Sequence, residues 1–286
     1  MNVQRICSEG GYTEGPVIRR DGSLAFVSID EGRVYAVGVD RQIRLVASTG
    51  GGPNGLVEGK GGILYVAQNG GKWPSKRLPG ITGGVQRIDR GGNVEYITQD
   101  MVSPNDLCFG PDGLLYVTDP TRVPARDDGR IWRCDPASAE AELLISLTWY
   151  PNGIGFSFED DAVYVADTTN ARIVRFTIGS SRLVPGEDFA RLPHNVPDGF
   201  AFDVDGNLLV ASPDPNGRGD LQVFDREGRF MERVDLGDGP YYTNVAIGAD
   251  HRVYITDANA GGVLLLEDWP TAGLPLHPFR AAGVPQ

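Results

Sequence analysis

The stretch Tyr150-Pro151-Asn152-Gly153-Ile154-Gly155-Phe156, followed by Ser157-Phe158-Glu159-Asp160-Asp161 and Val163-Tyr164-Val165-Ala166-Asp167, decides the fold because its pattern recurs along the chain. It returns as Pro53-Asn54-Gly55-Leu56 ahead of Ile63-Leu64-Tyr65-Val66-Ala67, and as Pro104-Asn105-Asp106-Leu107 ahead of Leu114-Leu115-Tyr116-Val117-Thr118-Asp119. A further copy is Pro197-Asp198-Gly199-Phe200 ahead of Leu208-Leu209-Val210-Ala211-Ser212. Looser copies are Thr13-Glu14-Gly15-Pro16 before Leu24-Ala25-Phe26-Val27-Ser28, and Tyr242-Thr243-Asn244-Val245 before Val253-Tyr254-Ile255-Thr256-Asp257. The polar anchors Glu14, Asn54, Asn105, Asn152, Asp198 and Thr243 lie 40, 51, 47, 46 and 45 residues apart. A strand-rich unit repeating with a period in the forties marks a radial or stacked repeat.

Each unit holds several short apolar runs bounded by Asp, Asn, Gly and Pro, the pattern of antiparallel hairpins. No segment sustains a 3.6-residue apolar period, so little helix is expected. Six four-stranded sheets around a channel make an all-β, six-bladed β-propeller, a single domain over residues 1–286. Gln4-Arg5-Ile6-Cys7 is strand-like but has no earlier blade to join, and the last unit supplies only three strands, ending at Val263-Leu264-Leu265-Leu266. Residues 3–8 are therefore expected to close the last blade as its outer strand, which leaves only short protected edges. The Pro-rich tail from Trp269 to Gln286 is expected to pack on the outside. The long second unit carries an insertion, Gly70 to Ile81, that either overhangs the channel mouth or forms a plain surface excursion.

A net charge of −12 makes nucleic acid and anionic membranes poor partners, because both need clustered Lys and Arg. Cys7, Cys108 and Cys134 form no metal-ligand spacing and read as reduced, mostly buried thiols. The first residues lack an apolar run long enough for a signal peptide, and no later run could span a bilayer. A cytoplasmic monomer or weak dimer is the expectation.

In a propeller the innermost strand runs along the channel, so residues that open it meet at one mouth. Glu14, Asn54, Asn105, Asn152 and Asp198 should form a ring there, with Asp119, Asp167 and Asp257 in a second circle behind. Pro-Asn-Gly and Pro-Asp-Gly are turn formers, and any one anchor alone reads as a turn residue. Pro111-Asp112-Gly113, Asp21-Gly22 and Asp205-Gly206-Asn207 are read as hairpin turns, and Asp203-Val204-Asp205-Gly206 lacks the remaining ligands of a calcium loop. Glu14, however, is no turn former. A Glu, an Asp and several Asn converging make an all-oxygen set that suits a hard divalent cation, with calcium foremost and Zn, Mn, Mg or Fe as alternatives. His194, His251 and His277 occupy no anchor, which argues against a His-rich zinc site.

With Glu14-Gly15-Pro16, Asn105-Asp106, Pro151-Asn152-Gly153 and Pro197-Asp198-Gly199 in this order, the chain resembles the family of regucalcin, gluconolactonase and luciferin-regenerating enzyme, with diisopropyl fluorophosphatase more distant. The resemblance implies a metal-dependent lactonase acting on a small sugar or alkyl lactone. It makes Glu14, Asn152 and Asp198 the metal ligands, turns Asn105 toward the substrate or a metal-bound water and sets Asp106 beside it. Asp198 is the candidate proton relay and Asp106 the reserve. Ser103 stands where members that hold sugar lactones carry an arginine; Trp73, Leu78, Trp149 and Tyr150 are candidates for a more apolar mouth. Gly155-Phe156-Ser157-Phe158-Glu159 breaks the nucleophile elbow, which disfavours a serine esterase. Organophosphate hydrolysis at the same metal and a non-catalytic calcium-binding propeller are the alternatives.

Overall fold

The structure, a computed structural model, describes residues 2–8, 10–38, 40–71, 78–122, 125–179, 182–214, 218–237 and 241–280, the side chains of Ala125 and Pro185 apart. The first strand, β1 (Val3–Cys7), belongs to the last sheet. Blade 1 is β2 (Thr13–Ile18), β3 (Leu24–Ser28), β4 (Arg33–Val37) and β5 (Ile43–Ser48). Blade 2 is β6 (Pro53–Glu58), β7 (Leu64–Asn69), β8 (Gly83–Ile88) and β9 (Val94–Thr98). Blade 3 is β10 (Leu107–Phe109), β11 (Leu115–Arg122), β12 (Ala125–Cys134) and β13 (Ala141–Leu147). Blade 4 is β14 (Pro151–Phe156), β15 (Ala162–Asp167), β16 (Arg172–Ile178) and β17 (Leu183–Arg191). Blade 5 is β18 (Phe200–Phe202), β19 (Leu208–Ser212), β20 (Asp220–Phe224) and β21 (Phe230–Val234). Blade 6 is β22 (Tyr242–Ile247), β23 (Val253–Asp257) and β24 (Gly262–Leu266), completed by β1.

The innermost strands β2, β6, β10, β14, β18 and β22 neighbour one another in that order, and β22 returns to β2. This is the expected six-bladed β-propeller. The N-terminal strand closes it: β1 pairs antiparallel with β24, Val3 facing Leu266 and Arg5 facing Leu264. The only helical element among the described residues is a 3-10 turn at Lys60–Gly62.

The described residues form no single central core. Six apolar clusters fill the seams between successive blades instead, because alternate residues of each strand face opposite neighbours. In one seam Tyr116 and Ile131 of blade 3 meet Phe156, Val165 and Phe176 of blade 4. Each fully buried Leu or Phe contributes about 1.5–3 kcal/mol, so the seams hold the ring while its axis stays open.

The second circle of aspartates clasps the blades. Asp119 accepts from Arg130 Nε at 2.9 Å, Trp132 Nε1 at 3.0 Å and the N–H of Ser103 at 2.6 Å. Asp167 is paired with Arg172 at 2.7 Å, Asp257 with Arg5 at 2.6 Å, and Asp220 with Arg233. Polar partners already surround these buried carboxylates.

The tail runs differently from expectation. From Trp269 to Arg280 it crosses the end of the channel opposite the anchors. The Trp269 N–H donates to His251 O of blade 6 at 2.9 Å, and the Leu274 N–H to Phe202 O of blade 5 at 3.0 Å. On blade 4, His277 Nε2 lies 2.9 Å from Asp160 Oδ1, and Arg280 Nη1 donates to Ser157 O at 2.7 Å and to Asp160 at 3.0 Å. Phe279 then lies under the Arg20 guanidinium of blade 1, 4.9 Å from ring centroid to Cζ. Its hydrogen bonds and apolar contacts are better satisfied along this mouth than on the polar outer rim. The hairpin turns fall where expected: Gly113 and Gly206 take φ of 79° and 86°, and Asp203 Oδ1 accepts from the N–H groups of Asp205 and Asn207.

Candidate active site

The anchors do not sit in turns. Pro53-Asn54-Gly55 and Pro151-Asn152-Gly153 open strands β6 and β14, and both openings are bulged: pairing jumps from Pro53 to Leu56 and from Pro151 to Ile154. A bulge leaves residues outside the ladder and re-aims their side chains. The glycine following the anchor serves close approach between blades. A Cβ on Gly153 would stand 2.6 Å from Asp198 O, and one on Gly199 only 2.0 Å from Asn244 Cγ.

That closeness creates a collar of hydrogen bonds. Asn105 O accepts from the Gly55 N–H at 2.7 Å, Asn152 O from Thr118 Oγ1 at 2.6 Å, and Asp198 O from the Gly153 N–H at 3.2 Å. Thr243 O accepts from the Gly199 N–H at 2.8 Å, and Thr13 O from Thr243 Oγ1 at 2.9 Å. With their carbonyls fixed to neighbouring blades, the anchor side chains have little freedom left.

Above the collar lies a cavity of about 210 Å³. Glu14, Asn105, Asn152 and Asp198 line it together with Tyr12, Arg122, Tyr150, Thr168, Val196, Pro213 and Tyr241. Asn152 Nδ2 donates to Thr168 Oγ1 at 3.2 Å, and Asn105 Nδ2 to the Tyr150 hydroxyl at 3.4 Å. Each amide nitrogen thereby has one of its two N–H groups engaged, which orients the amide and leaves Oδ1 as an acceptor. Asn54 is fully buried; with its amide oxygen facing blade 3 it accepts from Arg122 Nη1 at 3.3 Å and Nη2 at 2.5 Å. Thr243 is spent on the collar.

Asp106 lies below. Its Oδ1 accepts from the Leu107 N–H at 2.9 Å, and it borders the lower channel rather than the polar cavity. Ser103 is held by Asp119, and its hydroxyl reaches Asn69 O at 3.4 Å. Trp149 packs on Phe176 in the seam between blades 3 and 4, and neither Ser103 nor Trp149 is among the cavity-lining residues. Leu78 is exposed, and Trp73 lies outside the described residues, as does half of the insertion.

The missed residues had a signal. Like Tyr150, which the sequence already offered, Tyr12, Val196 and Tyr241 each stand two positions before an anchor, and alternation along an extended strand puts such residues on the anchor's face. Thr168 and Pro213 directly follow β15 and β19, whereas Arg122, the last residue of β11, obeys no repeat phase visible in the sequence.

Burial raises the Glu14 carboxyl well above the ordinary range, and the charges of Asp198 and Asp106 add to it; the Gly15 N–H and Arg122 act in the opposite direction. Burial pushes Asp106 up to about 6, against the hydrogen bonds it accepts. Burial also raises Tyr12 and Tyr150. No group of three or more His, Cys, Asp or Glu gathers among the described residues, so a cation here would depend on amide oxygens as well. Two carboxylates and the Asn152 oxygen, crowded enough to repel, suit a hard divalent ion.

A propeller with polar side chains from five blades converging at one mouth defines the class. Residues 12–259 match the family described as the SMP-30/Gluconolactonase/LRE-like region, and the chain belongs to that family. The lactonase drp35 of Staphylococcus haemolyticus is 27% identical over 241 residues, covering 78% of this chain and 69% of that protein. The gluconolactonase of Xanthomonas campestris superposes with a TM-score of 0.77 at 20% identity, covering 95% of this chain and 89% of the other. The calcium-binding protein regucalcin of Agrobacterium tumefaciens superposes at 0.79 and 18% identity, covering 98% of each chain. No helix among the described residues is long and apolar enough to cross a membrane.

Proposed function

We propose that the protein is a lactonase that opens a small cyclic ester at the polar mouth, with one divalent cation, calcium foremost. The observation that carries this reading is the convergence of Glu14, Asn152 and Asp198, from three different blades, on one cavity. The names of the relatives, a lactonase and a gluconolactonase, support the same chemistry.

Glu14, Asn152 and Asp198 would hold the cation, which when bound would polarise the ester carbonyl and stabilise the charge that develops on its oxygen. The Asn105 amide, fixed through Tyr150, orients the ring. Asp198 accepts a proton from the attacking water and returns it to the ring oxygen as the acyl C–O bond breaks. The product is a hydroxy acid, and its ionisation releases one proton to solution at neutral pH. Asp198 takes this role before Asp106 because it borders the cavity.

Proton release in a pH-stat on a panel of sugar and alkyl lactones, before and after chelation, tests the proposal. Ring opening should fall by about a hundredfold on chelation and return with calcium. Activity indifferent to chelation would remove the cation from the reaction; no ring opening in either state would remove the lactonase.

A further inference from the structure

We infer that the substrate carries a carboxylate and that Arg122 is the group that receives it. This rests on the lactonase reading and adds the substrate class.

Arg122 ends β11 and lines the polar cavity opposite carboxylates from blades 1 and 5. The other arginines that border a buried aspartate close on it: Arg130 on Asp119, Arg172 on Asp167, Arg233 on Asp220 and Arg5 on Asp257. Arg122 forms no such ion pair among the described residues. Its two Nη atoms reach only the neutral amide oxygen of Asn54, and its buried Nε has no partner. A guanidinium has five donors in a planar fork, so several remain unused here. Leaving a buried donor unmet is unfavourable unless an acceptor arrives.

The surroundings fix its direction. Its Cζ lies 5.7 Å from the centroid of the Tyr150 ring, the same tyrosine that receives the Asn105 amide. The guanidinium and the ester-orienting amide thus meet at one aromatic wall. Tyr12 and Tyr241, edge to face at 6.2 Å, line the same cavity. Arg122 is the cation in the lining, and with Glu14 and Asp198 engaged by the proposed dication its charge is left to draw an anion. A cavity of about 210 Å³ admits a single lactone ring with one short acidic substituent.

The probes are γ-butyrolactone bearing a carboxylate on its γ carbon and the same ring bearing the isosteric carboxamide. The wild-type protein should open the carboxylate with a kcat/KM about tenfold or more above the amide. Arg122→Gln should lower kcat/KM on the carboxylate by about ten- to a hundredfold, mainly through KM, and change the amide by less than about threefold. Arg122→Lys should recover part of the loss. Equal losses on both probes, or no wild-type preference for the acid, would overturn the assignment. Should the wild type open neither ring, the lactonase reading falls while this one is still decided by calorimetric titration with the open-chain hydroxy diacid. Binding about tenfold tighter to wild type than to Arg122→Gln sustains the anion site, and equal binding ends it.

Discussion

The two ends of the channel share six strands and almost nothing else. At the upper mouth the strands begin, and bulges turn Glu14, Asn152 and their neighbours into a polar cavity of about 210 Å³. At the lower mouth the same strands end in Ile18, Glu58, Phe109, Phe156, Phe202 and Ile247, around a mostly apolar cavity of about 350 Å³ closed by the C-terminal strap. The larger, greasier cavity is thus remote from the candidate chemistry. One mouth holds polar groups in an arrangement that opposes stability, and the other secures the ring, so substitutions at the two should separate activity from folding.

The sharpest break should come from Asp198→Asn. Losing the proposed proton acceptor and one carboxylate of the cavity should lower kcat by about a thousandfold, with the urea midpoint unchanged or raised. Steady-state kinetics beside equilibrium unfolding checks this, and a parallel loss of stability would make Asp198 a structural residue.

Asp106, between the mouths, should show its effect through pH. Its carboxyl titrates at about 6 in the folded protein against an ordinary 3.8. The folded state therefore keeps a proton that the unfolded chain has released, and stability falls as pH rises from about 4 to about 6. Roughly two pH units correspond to about 3 kcal/mol. In chelator-treated protein, Asp106→Asn should gain about 2–3 kcal/mol relative to wild type between pH 4 and pH 7. A difference that does not change with pH would show that the buried charge is already compensated.

The smallest effect belongs to the strap. Arg280→Ala removes the bonds to Ser157 O and Asp160 and should cost about 1–2 kcal/mol of unfolding free energy, leaving kcat/KM within about twofold. A large loss of activity would mean that the lower mouth communicates with the upper one.

The architecture was legible because repetition amplifies weak signals: one Pro-Asn-Gly is ambiguous, but six anchors in phase leave few closed arrangements. The same logic would have found Tyr12 and Tyr241, which precede Glu14 and Thr243 by two residues as Tyr150 precedes Asn152, had that phase been followed as well. Local reasoning failed at the anchors' glycines. Their role lies in contact with the adjacent blade, which a turn propensity does not encode. Arg122 was out of reach because it breaks the repeat, and divergence from a repeat is where specificity accumulates. The strap was misplaced because Pro-rich composition says that a segment is not a strand, without saying which end of the barrel it covers.

Pairing of β1 with β24 also sets the timing of assembly. Arg5 and Asp257, 252 residues apart, become neighbours only when the final blade has left the ribosome. Until then the nascent chain is an open arc, with Glu14 at one free end and Asp198 far round the curve. Asn105, Asn152 and Asp198 sit on consecutive blades, so closure through β1 is the step that brings Glu14 round to them.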